Sequence, residues 1–234
     1  MKKNKCNDSG KQKKKQNMRK ILLLSIGLCI SLHTIGQNTA NQAKTLLNDV
    51  STKMGAYHNM VIGFNSSLIN KEAGITNDPP IRGEITLSGE KYNLNYLGNT
   101  FIFDNKKLVV INQDEKEITI SNNDLDEEDG FIYPSKLLTF YKEGYTFSMG
   151  KLKNNNGRKV QYVNLTPIDS NSDIVKVQLG IDAKTKHIYK LVQIGSNGAE
   201  TTFTITKFKS DQPISKNLFI FNKDKYLKQG YFID

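Results

Sequence analysis

The sequence predicts a mainly β fold: an antiparallel hairpin sheet of about ten or eleven strands, curled around or capped by two helices. Three observations point there. Beyond Met60, apolar residues recur at every second position, as in Ile85/Leu87, Tyr92/Leu94/Tyr96 and Phe101/Phe103, the period of a strand with one buried face. Turn-forming pairs, among them Ser88-Gly89, Gly98-Asn99 and Asp104-Asn105, punctuate these runs. Spacings of three and four appear ahead of the first run of strands and again between the two runs.

The front of the chain reads as an address. Arg19 and Lys20 precede an apolar run of 12 residues from Ile21 to Leu32, and Gly36 and Gln37 follow where a peptidase could cut. This is the pattern of a secretory signal, and the run falls short of the roughly 20 residues that span a bilayer. Export with cleavage near Gln37 is expected, which divides the chain into a leader, 1–37, and one domain, 38–234. Met18 begins a complete leader by itself, so either Met1 or Met18 can be the start. The formal charge is +10, but residues 1–37 hold nine Lys and Arg against one acid, which leaves +2 on the remainder. A nucleic-acid partner is therefore not expected, since such proteins keep a basic stripe on the folded part. Cys6 and Cys29 both fall in the leader, so residues 38–234 have no thiol, disulfide or cysteine ligand. Leu28 stands where acylation at Cys29 would want a small residue.

Taken in order, the domain begins with TANQAKTLLNDVSTKMGAYHNM, in which Ala43, Leu46, Leu47, Val50, Met54 and Tyr57 share one side of an amphipathic helix capped by Thr39 or Asn41. Strands are predicted at 60–69, 82–88, 91–97, 100–104, 107–113 and 116–121. After the acidic run DLDEEDG comes YPSKLLTFYKEGY, with Pro134 suited to a first helical turn, Leu137, Leu138 and Tyr141 on one face, and Gly144 as a stop. Strands at 158–166, 174–182, 187–195 and 200–209 follow, the last two joined by GSNG. An apolar patch, NLFIFNKDKY, and YFID close the chain.

Little in this sequence looks reactive. Only His58 and His187 lie beyond the leader; neither has a second ligand at helical or strand spacing, and both are expected to be exposed polar residues, so no metal is expected. There is no G-x-S-x-G elbow, and GSNG lacks the following helix that a phosphate loop needs. No acidic pair stands out for glycoside chemistry. The acidic run at 124–129 places its glycine one position late for an EF-hand and has Ser135 where the closing glutamate belongs, so it reads as a solvated loop or a docking surface. The sequons at Asn65 and Asn164 are frequent by chance in so asparagine-rich a chain. No cofactor is expected. What remains is an apolar face on many strands; a strongly curved sheet encloses more interior than its own side chains fill, and an interior of aliphatic and aromatic groups suits an acyl chain.

The helix pattern A-x-x-L-L-x-x-V, the pair GEITLSGEKYNL, the hairpin IFDNKKLVVI with EKEITI, then PSKLLTFYKEGY and NGAETTFTITKF before a final FIF resemble the outer-membrane lipoprotein carrier family, LolA, from about Ala40 to the C-terminus. The resemblance implies an incomplete antiparallel β-barrel with helices capping an apolar cavity. It also implies a monomeric periplasmic carrier without enzymatic activity that takes acylated lipoproteins from an inner-membrane release complex to an outer-membrane acceptor. The implied cavity lining is Leu47, Val50 and Met54 from the first helix; Ile85, Leu87, Tyr92 and Leu94; Phe101, Phe103, Leu108 and Val110; Leu137, Leu138 and Tyr141 from the lid; and Phe203 and Ile205. Arg82 is the match offered for the family's lid-latching arginine. The chain departs from the family at Asp104-Asn105-Lys106, where a glycine commonly follows the aspartate, and at Val109-Val110, where an aromatic pair is frequent. These departures admit a paralogue carrying another lipid. A lipoprotein-sensing module, a lipid-anchored acceptor and a lipid hydrolase are the alternatives.

Overall fold

The computed structural model describes residues 39–76, 78–122 and 140–234. Residues 39–55 form a helix, α1. Twelve strands form one sheet: β1 (Met60–Ile69), β2 (Ile81–Ser88), β3 (Lys91–Tyr96), β4 (Asn99–Phe103), β5 (Leu108–Asn112), β6 (Glu117–Ser121), β7 (Tyr145–Asn155), β8 (Arg158–Pro167), β9 (Ile174–Asp182), β10 (Ile188–Gly195), β11 (Glu200–Ser210) and β12 (Phe232–Ile233). Their order is β12-β6-β5-β4-β3-β2-β1-β11-β10-β9-β8-β7, so the ends do not meet and the barrel stays open. All pairings are antiparallel except β12 with β6.

Local chemistry sets the hairpins. Between β3 and β4 the turn falls on Leu97 and Gly98, with φ of 53° and 75°, and between β7 and β8 on Asn156 and Gly157, at 52° and 85°. Two successive positive φ values match the twist of the flanking strands, which is why Asn-Gly is favoured there. At the β4–β5 turn the Asp104 carboxylate accepts the backbone N–H groups of Lys106 and Lys107 at 2.9 and 2.8 Å.

The sheet buries both faces. On the inner face, Ala43, Leu46, Leu47, Val50 and Met54 of α1 pack with Met60, Ile62, Ile85, Leu87, Leu179, Ile181 and their neighbours into the main core. A second core lies on the outer face, where Ile102, Val109, Ile111 and Ile118 are covered by Phe221, Tyr226, Tyr231 and Ile233 of the C-terminal segment. That segment includes a short helix, α2 (Lys223–Lys228), whose N-cap Asn222 accepts the N–H of Lys225.

Ten of the strands match the sequence expectation to within two residues. Two were not expected. β7 alternates through Tyr145, Phe147 and Met149 and then breaks at Gly150 and a lysine-rich stretch, and β12 has only two residues, held by a non-local parallel pairing. The C-terminal apolar patch takes up α2 and β12 rather than remaining irregular. Of the second helix, a 3-10 turn at Phe140–Lys142 is described. Pro134, Leu137 and Leu138 lie outside the described residues, as do the leader and the acidic run at 124–129.

Candidate functional site

The inner face is assembled strand by strand from alternate residues. Register places Phe64 opposite Gly83, Ile62 opposite Ile85 and Met60 opposite Leu87, then Leu87 opposite Tyr92 and Ile85 opposite Leu94, then Tyr92 opposite Phe103 and Leu94 opposite Phe101. Phe103 and Phe101 in turn face Leu108 and Val110. All of the expected lining residues within the described chain join one apolar cluster. Leu47, Val50, Met54, Ile85, Leu87, Tyr92, Leu94, Phe103, Leu108, Tyr141 and Phe203 are buried in it, and Phe101, Val110 and Ile205 pack against it half-buried. The Tyr141 hydroxyl donates to the Leu47 carbonyl at 3.5 Å, and burial raises its pKa above the ordinary value of a phenol.

At the far end of the strands from α1 the apolar lining reaches solvent. Leu68 and Ile81 continue the inward positions of β1 and β2 and are each 43% exposed. Just inside them sits an aromatic group, Phe64, Tyr96 and Phe203, with ring centroids 5.4 to 6.4 Å apart. Polar groups there include Ser66, whose hydroxyl pairs with that of Tyr96 at 2.8 Å, and the buried Gln193, which register places opposite Thr201 beside Leu68. Gly83 has no side chain, and the Phe64 ring occupies the space a Cβ would take.

Phe64, Ser66, Leu68, Ile81 and Tyr96 were missed as lining by the sequence reading. The alternation Met60, Ile62, Phe64, Ser66, Leu68 in β1 carries four of its five positions as apolar and could have found the first three, and the same period places Ile81 in line with Gly83 and Ile85 and Tyr96 in line with Tyr92 and Leu94.

Arg82 is not brought inward. The same alternation that turns Gly83 and Ile85 toward the interior turns Arg82 outward, where it is exposed beside Glu84, Asn95 and Lys207. Leu137 and Leu138 of the lid that it was expected to meet lie outside the described residues.

His58 is exposed as expected, its ring 3.3 Å from Asp211. His187 is not: it is half-buried, its Nε2 2.9 Å from the Tyr57 hydroxyl and its ring 4.1 Å from that of Phe208. Burial, with Lys53 nearby, lowers its pKa against the opposing pull of Asp182. Tyr57 follows α1, so this contact ties the helix end to the turn before β10. Among the described residues no group of three or more His, Cys, Asp and Glu converges as a metal site, and no helix is long and apolar enough to cross a membrane.

The sequence model of the family described as outer membrane lipoprotein carrier protein LolA matches residues 95–222, more than half of the 234-residue chain. No curated protein sequence matches. Among solved structures, an uncharacterized conserved protein from Thermus thermophilus superposes with a TM-score of 0.54 at 10% identity, covering 78% of this chain and 96% of that one. LprF from Mycobacterium bovis gives 0.46 at 12% identity, over 76% and 96%. A LolA superfamily protein from Nitrosomonas europaea gives 0.39 at 10%, over 78% and 98%.

Proposed function

This chain belongs to the outer membrane lipoprotein carrier protein LolA family, and from that premise we propose that it shelters the acyl chains of lipoproteins and ferries them toward the outer membrane. The observation that carries the proposal is the inner face: largely apolar from α1 outward, with the buried Asp182 at the end of β9 turned to the opposite side from Ile181, and open to solvent at Leu68 and Ile81. Each CH₂ taken out of water there is worth about 0.8 kcal/mol, and no covalent step is needed. An interior that reads only lipid tolerates cargo proteins of many sequences.

A carrier must also release. In this reading α1 occupies part of the interior when cargo is absent, so entering acyl chains displace protein contacts and net affinity stays moderate. The proposal extends to export by the leader, to a periplasmic location, and to an inner-membrane release complex and an outer-membrane acceptor as partners.

Titration of the delipidated protein with a fluorescent triacylated peptide tests it. Saturable binding that Leu68→Glu and Ile81→Glu weaken, with the sheet intact by circular dichroism, is expected. Absence of binding by the delipidated wild type would count against the carrier reading.

A further inference from the structure

The two ends of the strands differ in charge and in polarity. At the end where α1 finishes, the turns carry Lys106 and Lys107 after β4, Arg158 and Lys159 after β7, and Lys184 and Lys186 after β9. Their acids are Asp104 and Asp182, and both are engaged. Asp104 accepts two backbone N–H groups of its own turn. Asp182 accepts those of Lys184 and Thr185 and pairs with Arg158 at 2.8 Å. Elsewhere on this end Glu90 and Asp211 are balanced by Lys91 and Lys209, and α1 carries Lys44 and Lys53 against Asp49, which shares a hollow with Lys186. The three lysines of α2 lie over the outer face, apart from this rim.

The opposite end is apolar and acidic. Leu68, Ile81, Leu97 and Ile168 are exposed there, among Glu72, Asp78, Asp114, Glu115, Glu117, Glu143, Asp169 and Asp173, which outnumber the cations Lys71, Lys116 and Lys142.

We propose that the lysine rim docks the chain on an anionic phospholipid surface, and so holds the apolar opening away from that bilayer. Two observations select this occupant. Protein interfaces are depleted in lysine and rich in aromatic and arginine side chains at their centres. Here the cations are lysines, exposed except for the half-buried Lys186, together with one arginine already held by Asp182 and lying over the Tyr189 ring at 4.7 Å. The rim also spreads these charges over three separate turns and exposes no large apolar side chain in them, which suits a diffuse surface charge felt within a Debye length rather than a fitted pocket. Repulsion of the acidic end completes the orientation, and keeps Leu97 and Ile168 from inserting into lipid. Docking itself does not depend on the acyl-carrying reading; its consequence for where the opening faces does.

The test uses the exported chain recovered from the periplasm of an expressing bacterium, mixed with phosphatidylcholine vesicles with or without phosphatidylglycerol. Flotation with the anionic vesicles alone, reversed by high salt, is expected. Combining Lys159→Gln, Lys184→Gln and Lys186→Gln should weaken partitioning at least about tenfold, whereas Asp114→Asn with Asp169→Asn should not, and triacylated-peptide binding should be unchanged in both. A fluorophore on Lys106→Cys should be quenched by nitroxide-labelled lipid, and one on Leu97→Cys should not. Equal binding to both vesicle types, an unaffected triple lysine variant, or quenching at Leu97 in place of Lys106 would overturn the proposal. So would capture of polyglutamate without capture of vesicles, which would mark an acidic protein partner. Binding that appears only after Asp124, Asp126, Glu127, Glu128 and Asp129 are neutralised would assign the rim to this chain's own acidic run, and overturn it as well.

Discussion

At Gly83 the missing side chain is a packing requirement: the Phe64 ring lies where a Cβ would be. Gly83→Ala should therefore cost about 1–3 kcal/mol by urea denaturation. Gly55→Ala, with nothing within 4 Å of its Cβ position, should cost nothing measurable. His187 illustrates what one residue's neighbours in sequence conceal. In AKTKHIY it reads as a turn residue open to water, but its partners, Tyr57 and Phe208, arrive from the end of α1 and from β11. No local pattern announces a contact across 130 positions. Its pKa is depressed in the fold from an ordinary 6.5, with desolvation the main cause. The unfolded chain thus binds the proton more readily, and the contribution of the neutral ring is fully present above pH 6.5 and is lost as pH falls through the folded value. Thermal unfolding should show wild type losing stability between neutral and mildly acidic pH, with a shallower loss in His187→Phe.

Elements were legible in proportion to how local their causes are. β2 to β6 and β8 to β11 combine a period of two with turn residues at each end, and both signals sit inside the segment itself. β7 is an edge strand whose alternation is cut short, β12 exists only because β6 is beside it, and α2 spans less than two turns, too short for a helical period to show. The same limit hid the second core. Alternation marks which residues share a face but not whether the other face is also covered, and Ile102, Val109, Ile111 and Ile118 are buried because the C-terminal segment lies on them. This distinction can be measured. Ile111→Ala and Ile85→Ala, at 1% and 2% exposure, should each cost about 2–5 kcal/mol of stability. Only Ile85→Ala should also alter acyl-probe binding, because only Ile85 faces the interior.

For the whole molecule, one competition links stability to function. α1 seals the inner face through Leu47, Val50 and Met54, so what stabilises the empty protein opposes cargo. Leu47→Ala should lower the thermal midpoint and yet raise affinity for a triacylated peptide by about tenfold, since the state it destabilises is the one that excludes lipid. A variant losing stability and affinity together would show instead that α1 supports the bound state. The family and the single sheet were readable from the sequence because strand order and turn placement extend along most of the chain. Charge separation between the two ends was not, because each rim collects turns that lie far apart in sequence. Photo-crosslinking with a diazirine-bearing fatty acid, followed by peptide mapping, tests the central claim most directly. Adducts should form on the inner positions of β1, β2, β3 and β11, at Phe64, Ile85, Leu94 and Phe203, and spare Ile111 and Ile118; adducts on the outer face, or none that an excess of unlabelled lipid removes, would contradict it.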